Sequence, residues 1–199
     1  MQREDTLYSI AWRHDLDYRA LARLNGIGPD YRISVGQILT LRPATPSADT
    51  HPAKRAPPAG VPPAGATAPP GVGAAPAQAP GRWMWPTSIL ESPRAVAGGG
   101  VLLQGVLGQP VRAACGGHVV YVGAGIRGYG NLIIIKHDDS FLSAYAHTQD
   151  IVVHEGQEVL RGQVIGQMGL GPHGSPALYF EIRLNGKPVD PLPYLSGEK

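Results

Sequence analysis

The chain is 199 residues long, a length that accommodates one or two domains. Hydrophobic residues make up 43% of it, which excludes wholesale disorder, yet 27 glycines and 20 prolines together approach a quarter, about twice the usual share. Charge is balanced, with 17 Lys and Arg against 15 Asp and Glu, so the basic excess of a protein that grips nucleic-acid phosphates is missing and no nucleic-acid partner is expected. One cysteine, Cys115, excludes an internal disulfide framework and a multi-cysteine metal site. No stretch approaches about 18 consecutive apolar residues, so no transmembrane segment is expected.

Residues 1–42 read as a small module. Met1–Asp5 leads straight into patterned sequence without the apolar core of a signal peptide, which implies either a cytoplasmic protein or a targeting segment missing from this chain. Thr6 is placed to cap a helix over residues 7–14, with Leu7, Ile10 and Ala11 on one face. Asp17 is placed to cap a second helix through Leu24, with Asn25-Gly26 as its stop. After Gly28-Pro29, Gln37–Leu41 alternates as a short strand, and residues 1–4 are the only candidate for a partner strand.

Residues 43–81 hold 11 prolines, 12 alanines and 5 glycines, and no aromatic residue, leucine or isoleucine. Such a segment cannot bury enough apolar surface to offset its ordering entropy, so it is expected to be an extended spacer, partly polyproline II. Residues 82–195 differ again. Trp83-Met84-Trp85-Pro86 opens them as a core plug, and short apolar runs follow with glycine punctuation: 111–114, 118–122, 132–136, 141–145, 151–153, 163–168 and 178–183. Their length and β-branched content predict seven or more strands in an antiparallel sheet or sandwich, with a tight turn at Asn185-Gly186 and no helix. The fold class is therefore mainly β, with domains at 1–42 and 82–195, a linker at 43–81 and a short tail at 196–199.

Two resemblances sharpen this reading. Asp5-Thr6-Leu7, Ile10-Ala11, Leu21, Asn25, Ile33 and Val35-Gly36-Gln37-Ile38-Leu39 follow the pattern of a LysM domain, although Glu4 stands where that family usually has glycine. The resemblance implies a βααβ fold that binds N-acetylglucosamine-containing glycans such as peptidoglycan. It assigns the ligand groove to Asp5, Thr6, Leu7, Asn25, Gly26, Ile27, Gly28 and Pro29. In the second half, Gly108-Gln109-Pro110-Val111, Gly117–Gly123, Gly128-Tyr129-Gly130-Asn131, Tyr145-Ala146-His147, Gly162–Gly166, Phe180-Glu181-Ile182-Arg183 and Gly186–Leu195 fall in the order of a lysostaphin/LytM-type zinc endopeptidase domain.

That second resemblance implies a zinc site whose ligands and catalytic neighbour are altered here. Gly98 and Leu102 stand at the histidine and aspartate of the family's H-x-G-x-D motif, while Gly100 keeps the middle glycine. Ala177 and Tyr179 stand at the two histidines of H-x-H-F-E, and only His147 of the Tyr-x-His motif remains. Glycine and leucine cannot coordinate a metal, so no zinc, no other cofactor and no catalytic residue is expected. His118, His137, His154 and His173 show no paired ligand spacing and are expected to be solvated or singly hydrogen-bonded, with His173 nearest the altered motif. Cys115 is expected to be a buried, inert thiol in an apolar strand.

A cleft emptied of metal and lined by Leu102, Tyr129, Tyr145, His147 and Tyr179 would be apolar and aromatic, suited to a peptide segment or helix. The combined layout is similar to that of activators of cell-wall N-acetylmuramoyl-L-alanine amidases, which act in septal peptidoglycan splitting. It implies peptidoglycan and such an amidase as partners and a periplasmic location, either free or as an outer-membrane lipoprotein whose signal and lipobox are absent from this chain. Two competing readings are a zinc endopeptidase using noncognate ligands and a passive peptidoglycan-binding protein.

Overall fold

The structure, a computed structural model, describes residues 6–34, 36–41, 83–96 and 98–196. The expected spacer at 43–81, the expected first strand at 1–4, Asp5 and most of the tail lie outside the described residues.

The N-terminal helices form as their caps dictate. In α1 (Leu7–Arg13) the Thr6 hydroxyl accepts from Ser9 N–H, and the Ser9 hydroxyl reaches back to the Thr6 backbone, a reciprocal capping box. In α2 (Tyr18–Leu24) the Asp17 carboxylate accepts from Ala20 N–H at 2.9 Å, and Gly26 follows with φ +63°. The expected strand at 37–41 forms no ladder among the described residues, although its burial alternates with period two.

The larger half contains β1 (Arg94–Ala95), β2 (Val101–Gln104), β3 (Pro110–Arg112), β4 (Gly117–Gly123), β5 (Leu132–Lys136), β6 (Phe141–Ala146), β7 (Thr148–Gln149), β8 (Glu158–Val159), β9 (Val164–Met168), β10 (Ala177–Leu184) and β11 (Lys187–Val189). All pairings are antiparallel. Eight strands form one sheet in the order β1-β2-β10-β6-β5-β4-β8, with β11 also on β10, and β3-β9-β7 form a second, smaller sheet. The expected strand at 151–153 is irregular, and its chain is tied by the Val152 N–H to the Ile165 carbonyl. Cys115 is buried as expected, but in a bend after β3 instead of a strand. One helical turn, α3 (Leu192–Leu195), was not expected. Proline in its first turn and an Asp190 carboxylate accepting from Leu192 N–H start it.

The large sheet is covered on both faces. Val101, Leu103, Ile133, Ile135, Leu178, Phe180 and Ile182 point towards the small sheet, where Val111, Ala113, Ile165 and Met168 meet them. Leu102, Leu132, Ile134, Leu142, Ala144, Ala146 and Tyr179 point the other way, into a core shared with Leu7, Ile10, Trp12, Tyr18 and Leu21 of the N-terminal helices. The two modules are thus packed into three layers. Close approach is enforced at Gly186 in the β10–β11 turn, where an added Cβ would meet the Asp17 backbone at 2.6 Å.

Trp83 plugs the core as expected, its ring edge-on to His137 at 4.7 Å and to Phe141 at 6.0 Å. His137 departs from the expectation of a solvated or singly bonded ring. It is buried, with Nδ1 2.8 Å from the Gly116 carbonyl and Nε2 2.7 Å from the Ser143 hydroxyl. Burial pushes its pKa down to about 4, so the folded ring stays neutral where a free histidine, at 6.5, would protonate. Below pH 6.5 the unfolded chain therefore binds a proton that the folded chain refuses until about pH 4. Stability is expected to fall as pH drops through that window. Urea unfolding midpoints across it will show this slope, and His137→Gln will flatten it.

Candidate functional site

One row of the large sheet underlies the candidate site. The register sets Arg94, Leu102, Tyr179, Ala146 and Leu132 side by side on β1, β2, β10, β6 and β5. Directly opposed residues share a face, so Leu102 and Tyr179 together floor a cleft of about 330 Å³. Val96, Tyr129, His147 and His173 contribute to its walls. The Tyr129 ring stands edge-on to Tyr179 at 5.5 Å. Gly100 is buried beneath, and an added Cβ would run into the Tyr179 ring.

Four of the five residues expected to line the cleft do so; Tyr145 does not. Strand alternation sends Tyr145 to the opposite face, where its hydroxyl accepts from Ala114 N–H at 2.8 Å and its ring packs on Phe180 at 5.3 Å. By the same alternation His147, two residues on, would follow Tyr145. Instead β6 ends at Ala146, and His147 adopts a left-handed backbone (φ +60°), an uncommon state for a residue with a Cβ, while its side chain lines the cleft. Two backbone hydrogen bonds hold that turn: His147 N–H to the Tyr129 carbonyl at 2.9 Å, and Gly169 N–H to the His147 carbonyl at 2.8 Å. Partial burial lowers the His147 pKa, which favours a neutral imidazole.

Beneath the cleft lies a buried polar chain. The Tyr179 hydroxyl donates to Glu181 Oε2 at 2.7 Å, and Glu181 Oε1 accepts from Arg183 Nε at 2.6 Å. Glu181 and Arg183 are 1% and 3% exposed. The guanidinium goes on to donate to the Trp12 carbonyl at 3.0 Å and to Asp15 Oδ1 at 2.9 Å, and it stacks over the Trp12 ring at 3.7 Å. Burial raises the Tyr179 pKa, and the neighbouring Glu181 charge raises it further, so the phenol remains protonated. Tyr129 is raised for the same two reasons in the same order.

The inventory of donors for a cation is short. His147 and His173 supply imidazole nitrogens to the cleft, Tyr179 a neutral hydroxyl already committed to Glu181, and Leu102 none. Among the described residues no three His, Cys, Asp or Glu side chains come together as a metal-holding group.

In the N-terminal module the residues expected to bind glycan divide. Gly26, Gly28 and Pro29 are exposed, Thr6 and Ile27 half-buried. Leu7 is a correction. It is 0% exposed in the core between the helices and the sheet, and offers no side-chain floor to a sugar. Asn25 is occupied in bracing the module: its side chain donates to the Leu21 and Thr40 carbonyls at 2.8 and 2.9 Å and accepts from Thr40 N–H at 2.6 Å.

Known proteins share this architecture. The LysM domain description matches residues 2–42, and the peptidase family M23 description matches residues 97–191. Over 98% of its length the chain is 45% identical to a Pseudomonas aeruginosa protein named lipoprotein NlpD/LppB homolog, covering 75% of that protein. The chain belongs to the NlpD/LppB family. It is also 37% identical to the murein hydrolase activator NlpD of Salmonella typhimurium, across 98% of this chain and 67% of that one. Among solved structures, an M23-family protein of Pseudomonas aeruginosa superposes with a TM-score of 0.55 at 26% identity, covering 60% of this chain and 53% of the other.

For this NlpD/LppB-family chain, sequence reading missed Glu181, Arg183 and Trp12 as determinants of the cleft. A signal was present, since two opposite charges alternate with apolar residues inside the run 178–183. Charges at that spacing in a covered strand must find partners. Tyr179→Phe leaves Glu181 Oε2 without its donor, and a loss of roughly 1–3 kcal/mol in folding stability is expected by urea denaturation.

Proposed function

We propose that this protein is a non-catalytic activator of a cell-wall N-acetylmuramoyl-L-alanine amidase, held on peptidoglycan by its LysM module and engaging the amidase through the M23-type cleft. The observation that carries this reading is the cleft floor. Where the peptidase family places metal ligands, this chain presents Leu102 and Tyr179, an apolar side chain and a protonated phenol bonded to Glu181. A catalytic zinc needs three protein ligands and an open position for water, and two histidines with a committed tyrosine do not fit that requirement. No step of the activity is therefore routed through a metal.

The chemistry that remains is recognition. An apolar floor with aromatic walls accepts the apolar side chains of a peptide segment, and the two imidazoles in its walls fix orientation by hydrogen bonding. The naming of a relative as a murein hydrolase activator supports a partner that is itself a hydrolase. The naming of relatives as lipoproteins supports a site of action in the cell envelope. No helix among the described residues is long and apolar enough to cross a membrane. The exposed Gly26–Pro29 edge of the N-terminal module is the part we assign to glycan.

Release of fragments from dye-labelled peptidoglycan by the host's amidase, with and without this protein, tests the reading. Stimulation is expected, and its absence would sink the activator assignment in favour of a passive wall-binding role. Leu102→Ala with Tyr179→Ala is expected to weaken amidase binding by about tenfold or more, as loss of central anchors at interfaces does. Dialysis against excess zinc followed by metal analysis is expected to leave far less than one zinc per chain. One tightly held zinc would revive the endopeptidase reading.

A further inference from the structure

We infer that the docked N-terminal module is a working part of the cleft: seated on the sheet, it sets the position of the Tyr179 ring through Arg183 and Glu181. This rests on the reading of the cleft as a binding site. Tyr179 is held by Glu181, its neighbour on the same face of β10, which is held by Arg183 at 2.6 Å. Arg183 in turn takes its other oxygens from the module alone, namely the Trp12 carbonyl and the Asp15 carboxylate, and the Trp12 ring covers its face. Lifting the module removes both oxygens and the ring together. Glu181 and Arg183 would then rehydrate, and nothing would fix the acceptor that orients the Tyr179 hydroxyl.

The seat itself is specific. Arg19 donates to the Asn185 side chain at 2.7 Å, and the Tyr18 hydroxyl reaches the Asp139 carbonyl at 3.3 Å. Asp15 and Asn185, one on each side of the contact, both hold left-handed backbones (φ +52° and +51°). Docking obstructs neither binding face, because the Gly26–Pro29 edge stays largely exposed and the cleft stays open. The seated form is therefore the form that can hold glycan and peptide at once, at one fixed separation. A partner segment is expected to meet a shaped cleft only while the module is in place.

Gly186→Asn supplies the test. Asparagine tolerates the left-handed turn at position 186, but its Cβ would meet the Asp17 backbone at 2.6 Å and wedge the module off its seat. Hydrogen–deuterium exchange on the full chain is the readout, independent of any amidase. Expected is loss of protection in α1 and α2 together with loss at 127–131, 146–148 and 171–181, while β3 and β9 keep theirs. Loss confined to α1 and α2, with the cleft segments unchanged, would overturn the inference. Unchanged protection throughout would also overturn it, since the module would not then be seated on the 185–186 turn. Should the wedge prevent folding, Asp15→Ala with Arg19→Ala removes two cross-module contacts, one at an exposed and one at a half-buried side chain, and the same readouts apply.

Discussion

A guanidinium taken out of water must be given oxygens, or the fold that buries it fails. Arg183 sits at 3% exposure near the end of β10, and this requirement organises much of what surrounds it. Its own strand supplies Glu181, but one carboxylate oxygen is not enough for a fork of donors. The remaining partners come from the end of the first helix, where Trp12 gives a carbonyl and a ring, and from the turn after it, where Asp15 gives a carboxylate. Glu181, fixed by the pair, has one oxygen left over, and that oxygen accepts the hydrogen bond of the Tyr179 hydroxyl. Removing one member of such a buried pair typically costs about 3–5 kcal/mol, whereas the assembled pair adds little net stability. Its effect is to specify one arrangement of the module, the strand and the cleft.

The same face explains why the glycan-type module is not a loosely tethered neighbour. Leu132, Ile134, Leu142 and Ala144 would be left open to solvent without the helices, a contiguous apolar surface on a sheet already packed on its other side. Lys136 lies over the rings of Tyr18 and Tyr31 at 5.6 and 5.7 Å, adding a cationic contact at the margin of that surface. Two small domains that each lack a full core thereby complete one another.

Legibility in the sequence followed the range of the physics. Helix caps are local, and Thr6, Asp17 and Gly26 marked both N-terminal helices to within a residue. Turn chemistry is local too, and Asn185-Gly186 marked its hairpin. Strand existence was readable in most of the β-branched runs, but 151–153 forms no strand, β2 was not anticipated, and β1, β7, β8 and β11 are two or three residues long and are defined only by their neighbours. The unbroken run Leu132–Ile135 held unread information: an antiparallel strand with no alternation has both faces covered, and so called for a further layer. For the cleft, motif order identified Leu102, Tyr129, His147 and Tyr179. Tyr145 was misplaced because the spacing Tyr-x-His assumes a strand that continues, and only the left-handed turn at His147 reveals that it does not. Docking of one module on another depends on contacts more than a hundred residues apart, which no local pattern records.

The neighbours of β10 have a consequence for how any polypeptide can be recognised here. One edge of that strand is shared between β2, along Ala177–Phe180, and β11, along Ile182–Leu184, while β6 takes Tyr179–Leu184 of the other edge. The β10 backbone at Tyr179 and Phe180, under the cleft floor, is thus paired on both edges, and the outermost strands β1 and β8 are two residues each. A visiting chain cannot be zipped on as an extra strand, the sequence-indifferent mode that reads main chain alone. It has to be read by its side chains. The short margins that impose this discrimination also give a second copy of the sheet little edge on which to pair, so discrimination and restraint share one structural origin.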